Sequence, residues 1–189
     1  MYRNTFLSVM FLACCFNGSL CAQSDAQIYE RTCDAKTYPF SDPSPVATPN
    51  NSYYPYFRFD GFSMQAQEKQ WKMVVLENDY VKLTVTPEIG GKIWGAIDKV
   101  NNKEFVYTNG VVKFRDVAMR GPWTSGGIEF NFGIIGHAPT CSTPIDYLTK
   151  KNVDGSVSCH IFSYEWITRT VWNVEINLPK DKAYFTTHT

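Results

Sequence analysis

The sequence predicts an all-β, antiparallel domain, and three observations carry that expectation. Apolar residues alternate with polar ones at a spacing of two in several segments. Those segments are separated by turns rich in Gly, Asn and Asp. Beyond residue 22, no stretch of about 12 residues keeps a helical period.

In chain order, the opening MYRNTFLSVMFLACCFNGSLCAQ has a positive start at Arg3 and an apolar run from Thr5 to Phe16. Small residues then end at Leu20-Cys21-Ala22. This is the layout of a secretory signal peptide, residues 1–22, cleaved after Ala22. An uncleaved anchor is the alternative, and a lipoprotein cleaved before Cys14 would leave a very short apolar core. The chain is therefore expected to be exported to a periplasmic or extracellular space, with no membrane span once the signal is removed.

Residues 23–70 read as an irregular, extended arm. Pro39, Pro43, Pro45, Pro49 and Pro55 exclude helix, and Tyr53, Tyr54, Tyr56, Phe57, Phe59 and Phe62 supply rings to pack onto the main domain. Residues 71–189 form that domain. Val81, Leu83 and Val85 alternate with Lys82, Thr84 and Thr86, and Pro87 to Gly91 makes a turn. Ile93, Gly95 and Ile97 continue as the return strand, and Glu104 to Tyr107 follows the Asn101-Asn102 turn. Val74–Val85 and Lys92–Tyr107 should thus form an antiparallel meander. Asp154-Gly155 marks a hairpin whose two central residues accept positive φ, which sets Lys150 opposite Cys159. Trp172, Val174, Ile176 and Leu178 share one face, with Asn173, Glu175 and Asn177 on the other. A last strand begins near Ala183. The open sheet edge it would leave suggests the front part of a longer domain.

Composition narrows the function. With 18 basic and 18 acidic residues the net charge is zero, which argues against nucleic acid as a partner. The aromatic fraction of 15% fits a ligand with apolar faces. Signal cleavage leaves Cys33, Cys141 and Cys159, so one bridge at most can form; if one does, Cys141–Cys159 is the pair, provided the Cys141 loop curls back, and no bridge at all is the alternative. No zinc spacing is present, and His137, His160 and His188 are scattered. No metal or cofactor is expected, a site completed by carboxylates being the alternative.

One resemblance is carried by particular blocks. VVLENDYVKLTVTPEIGGKIWGAIDKVNNKEFVY (Val74 to Tyr107) resembles the opening of galactose-mutarotase-like β-supersandwich domains. YPYFRFDGF, PEIGGKIW, RGPWTSGGIEFNFGIIGHAPT (Arg120 to Thr140) and the trio Glu165, Arg169 and Trp172 are more closely similar to a bacterial family of unknown function within that superfamily. Its members are exported and are often followed by tetratricopeptide repeats. The resemblance covers Tyr53 to Thr189 and implies a truncated antiparallel β-supersandwich with carbohydrate as ligand. It also implies that Glu129 and His137 move protons at an anomeric centre.

The residues give the same pair a chemistry of its own. Glu129 falls in Ile128–Phe132, read as a strand, and shares a face with Asn131. A carboxylate and an amide side by side can grip vicinal hydroxyls. Gly133 and Gly136 let the following loop return His137 to that face, and a glutamate with a histidine is a workable acid–base pair near neutral pH. Trp123 is the candidate sugar platform, while Trp94 is a second platform or a core residue. Arg120 and Arg169 are the expected cations for Glu129, and a closed ion pair with either would make the glutamate merely structural. Gly90-Gly91-Lys92 lacks a following helix, so it is a turn and not a phosphate cradle. Two function classes follow: a carbohydrate-active enzyme, epimerase or glycosidase, and a non-catalytic glycan-binding or scaffold module.

Overall fold

The structure, a computed structural model, describes residues 24–40, 61–117, 121–133, 137–138, 140–165 and 168–189. The signal-peptide stretch and the aromatic cluster from Tyr53 to Phe59 lie outside them. The described residues are β-strands and loops, plus a single 3-10 turn at Pro87–Ile89. None forms a helix long and apolar enough to cross a membrane.

Strands β1 (Gln27–Tyr38), β2 (Gln67–Glu77), β3 (Val81–Thr86), β4 (Lys92–Asp98), β5 (Lys103–Val106), β6 (Val112–Val117) and β7 (Gly121–Thr124) make a curled, half-barrel-like sheet. Its order is β5-β4-β3-β2-β1-β6-β7. Strands β8 (Asp146–Lys151), β9 (Val157–Glu165), β10 (Thr170–Leu178) and β11 (Thr186–His188) make a second sheet, order β11-β10-β9-β8.

The meander is present as expected: β2, β3, β4 and β5 pair antiparallel in sequence order. Its alternation sends Val81, Leu83 and Val85 toward the second sheet, where they meet Ile161, Trp172, Val174, Ile176 and Leu178. These side chains are nearly or wholly removed from water. Burying each contributes roughly 1.5–3 kcal/mol, which makes this interlayer seam the main source of stability. The Gly-Gly turn feeds the seam directly. Gly91 has φ 72°, and a Cβ there would stand 2.2 Å from Ile145 Cδ1. The expected face of β10 is also found, with Trp172, Val174, Ile176 and Leu178 buried.

Five expectations are corrected. First, the arm is not irregular throughout, because Gln27–Tyr38 is a 12-residue strand paired along its length with β2. It ends where the prolines begin, and its mostly exposed pattern concealed its period. Second, the large sheet is mixed, since Thr37 and Tyr38 pair parallel with Val112 and Lys113. Third, the β8–β9 hairpin is shifted by one residue. Lys150 faces Ser158, and Thr149 faces Cys159. Only Gly155 takes positive φ, and the three-residue loop closes through Asn152 N–H to Ser156 O and Gly155 N–H to Asn152 O. Fourth, no bridge joins Cys141 and Cys159, which are both free thiols. Cys159 packs in the interlayer core, whereas Cys141 sits in a loop with its Sγ turned to Ala138 O. Fifth, Ile128–Phe132 is not a strand. Ile128 makes one isolated bridge to Ile93, and the chain leaves the sheet after it.

Candidate acid–base site

The site grows from β4, whose two faces differ. Ile93 and Ala96 enter the interlayer core, while Trp94 joins Trp71, Met73, Ile89, Val112 and Phe114 in a second cluster on the opposite face. Lys92 opens the strand and is 4% exposed. Its ammonium donates to Thr124 O at 2.9 Å and Thr124 Oγ1 at 3.1 Å, tying β4 to β7.

The turn after β7 then delivers Glu129. Gly126 and Gly127 both have positive φ, and a Cβ at Gly127 would stand 2.2 Å from Ile93 O. Only glycine lets the chain lie this close to β4 and form the Ile128–Ile93 bridge, with N···O distances of 2.8 and 3.0 Å. Beyond the bridge, Phe132 stacks on Trp172 at 4.4 Å, holding the loop down on the sandwich.

Glu129 Oε1 accepts a hydrogen bond from Ala138 N–H at 2.7 Å and lies 2.9 Å from His137 Nδ1. An ionised carboxylate only accepts, so Nδ1 is the donor in this pair, and in a neutral ring that tautomer leaves the lone pair on Nε2. The imidazole edge meets the Trp123 ring at 6.2 Å. The Glu129 and His137 side chains are 14% and 24% exposed, so the pair is sheltered but reachable. Beneath it, Cys141 Sγ donates to Ala138 O at 2.8 Å.

Electrostatics follow from burial. Desolvation pushes the Lys92 ammonium below its ordinary pKa, opposed by the Glu129 charge. Burial pushes the Cys141 thiol well above its usual value, and the charge and hydrogen bond of Glu129 add to that. The charges of Lys92 and Glu129 thus attract each other.

Among the sequence candidates, Glu129, His137 and Trp123 come together. Asn131 is exposed, and because the chain has left the sheet it is not held beside Glu129. Arg169 does not serve Glu129. It sits exposed at the β9–β10 turn with φ 58°, in the other sheet. That turn is closed by the buried Glu165, which accepts from Thr168 Oγ1 at 2.6 Å. Arg120 lies outside the described residues. Trp94 is 6% exposed and is a core residue. Sequence reasoning passed over Lys92, Thr124 and Cys141. The available signal was a lysine opening the otherwise apolar run Ile93-Trp94-Gly95-Ala96-Ile97, where an unpaired charge is rarely buried. Glu129, His137 and Cys141 offer ligand atoms all within 4.8 Å of one another, a cluster that their spacing in the chain did not announce.

A cleft of about 290 Å³ lies on the Trp94 side of the large sheet, lined by Arg31, Asp34, Trp94, Thr108 and Asn109 among others. Asn109 Nδ2 donates to Ser125 Oγ at 2.5 Å, joining the cleft wall to the turn that delivers Glu129.

Fold and site together define a class: an all-β domain of two sheets with a sheltered Glu–His pair on the loop that leaves the larger sheet after Ile128. The chain belongs to the family described as a domain of unknown function, DUF5107, which matches residues 48–189. It is also similar to the crystal structure of a TPR-domain containing protein from Parabacteroides distasonis. The TM-score is 0.77 and the identity 26%, over 87% of this chain and 29% of that one. The chain thus spans under a third of that relative's length.

Proposed function

We propose that this is an exported, carbohydrate-active domain of the galactose-mutarotase-like kind, in which His137 moves a proton and Glu129 holds it in place. The observation that carries this reading is the 2.9 Å Glu129–His137 contact. It leaves Nε2 as the reactive nitrogen, beside an aromatic surface that suits the C–H face of a pyranose. One carboxylate and one imidazole suit proton transfer from the anomeric hydroxyl and back to the ring oxygen as the hemiacetal C–O bond opens and recloses, that is, epimerase chemistry of the mutarotase kind. A glycosidase would need a second carboxylate about 5–9.5 Å from the first. Export rests on the signal-like residues 1–22.

A second reading is a non-catalytic glycan-binding or scaffold module. It is favoured by the two hydrogen bonds that Glu129 Oε1 accepts inside its own loop, which also make it a structural latch. A glycan array followed by product analysis separates the two. Under the first reading, a bound glycan is converted and His137→Ala slows conversion roughly 10²–10⁴-fold. Binding without conversion, equal in wild type and His137→Ala, would establish the second.

A further inference from the structure

We propose that Glu129, His137 and Cys141 form a three-ligand site for a first-row divalent metal ion, zinc in particular, open on the side where Glu129 and His137 reach solvent. One carboxylate oxygen, one imidazole nitrogen and one sulfur lie within 4.8 Å of one another. Around tetrahedral zinc, with bonds of about 2.0–2.3 Å, such donors stand roughly 3.3–3.7 Å apart. The His137–Glu129 contact at 2.9 Å therefore has to open by about half an ångström on binding. That adjustment is within the reach of side-chain rotation.

The donor set selects the metal. A thiolate with an imidazole favours zinc or cobalt over magnesium and calcium, which take oxygen. Three protein ligands and one free position are the arrangement of reactive rather than structural zinc. The loop that carries the ligands is anchored at both ends. Ile128 is bridged to Ile93 before it, and after it Gly90 N–H donates to Thr143 O at 3.0 Å and Ile145 N–H to Pro87 O at 3.0 Å. The three groups are therefore held near one another before any ion arrives, and less ordering is required on binding.

Charge and protons balance. The ion brings two positive charges, Glu129 one negative charge, and Cys141 a second once its S–H proton is released to solvent as the metal–sulfur bond forms; the Nδ1 proton of His137 leaves through solvent while Nε2 takes one up, so the neutral ring ligates through Nδ1. Lys92 stays tied to Thr124 and is not a ligand. This inference stands on ligand geometry, and its test needs no sugar, so it can fail while the carbohydrate reading survives, and the reverse.

The experiment is a titration of the chelator-treated full chain with Co²⁺, then displacement by Zn²⁺. One equivalent should bind and produce a thiolate-to-cobalt charge-transfer band. Cys141→Ser should abolish the band, and His137→Ala should weaken binding by at least the roughly 10–100-fold that loss of an outer-shell partner costs. Cys33→Ser should leave both unchanged. Thermal melts guard against misfolding: Zn²⁺ should raise the Tm of wild type and Cys33→Ser, and not that of Cys141→Ser. Cobalt bound without a thiolate band, no stoichiometric binding, or a band that disappears in Cys33→Ser would each overturn the proposal.

Discussion

The two faces of the large sheet obey different rules, although the same strands build both. On the side packed against β8–β11, the buried side chains of β2, β3 and β4 are apolar: Val74, Leu76, Val81, Leu83, Val85, Ile93 and Ala96. On the other side Trp71, Met73 and Trp94 share the surface with a buried lysine and with a cleft bordered by Arg31, Asp34 and Asn109. Strand β4 changes character from Lys92 to Ile93 within one residue. Stability is concentrated in the seam between the layers, while the buried ammonium of Lys92 opens the same strand to which Ile128, just before Glu129, is bridged. A buried ammonium survives there because Thr124 accepts from it twice and the Glu129 charge attracts it.

That division predicts a graded set of effects. The largest belongs to the seam. Leu83 is wholly buried, and Leu83→Ala should destabilise by about 2–5 kcal/mol in urea titration while leaving the Glu129–His137 contact intact. A loss below about 1 kcal/mol would remove the seam from its leading role.

Next comes Lys92→Met, which keeps the stem and removes the charge. Thr124 loses its donor and Glu129 an attracting charge, so stability should fall by about 1–3 kcal/mol. Ligand binding should fall with it. If Lys92→Met were as stable as wild type and kept full binding, the charge on this face would be incidental.

Smallest per unit of the variable changed is a pH dependence on the seam side. Burial pushes the Cys159 thiol from its ordinary 9.0 up to about 12. Above pH 9 the unfolded chain loses this proton while the folded chain keeps it, so stability should fall as pH rises from about 9 toward 12. The contribution of one proton is at most about 1.4 kcal/mol per pH unit. Cys159→Ala should reduce this alkaline slope, to which the raised Cys141 thiol and Tyr147 phenol also contribute, in denaturation curves recorded from pH 8 upward, and an unchanged slope would assign it elsewhere.

Legibility in the sequence followed the same division. The seam was readable because Val81, Leu83 and Val85, and later Trp172, Val174, Ile176 and Leu178, alternate against polar neighbours. β1 was not, because Gln27–Tyr38 is mostly exposed and carries charges along its length, so it looks like a polar tail until paired with β2. Its parallel contact with β6 joins residues far apart in the chain, and no local pattern encodes such a pairing. The hairpin register slipped by one because Asp154-Gly155 resolves into a three-residue loop with one left-handed residue.

At the site, Glu129 and His137 could be brought together on paper because Gly133 and Gly136 permit a return. The reason proved different in part: Gly127 brings the chain onto β4, and Glu129 leaves the sheet after Ile128. Of the two arginines weighed as partners, Arg169 sits in the other sheet and Arg120 lies outside the described residues, while Lys92 was taken for part of a turn. Its burial arises from the fold of β7 over β4, which no local pattern reveals.

Acid–base chemistry at this site requires that Glu129 hold His137 with Nδ1 protonated and Nε2 free. Long-range ¹H–¹⁵N NMR of the imidazoles tests it most directly, with the His137 signals identified by their loss in His137→Ala. In the metal-free, neutral ring a protonated Nδ1 and an unprotonated Nε2 are expected for His137, and Glu129→Gln should weaken that preference. A His137 ring protonated at Nε2 with Nδ1 bare would contradict it.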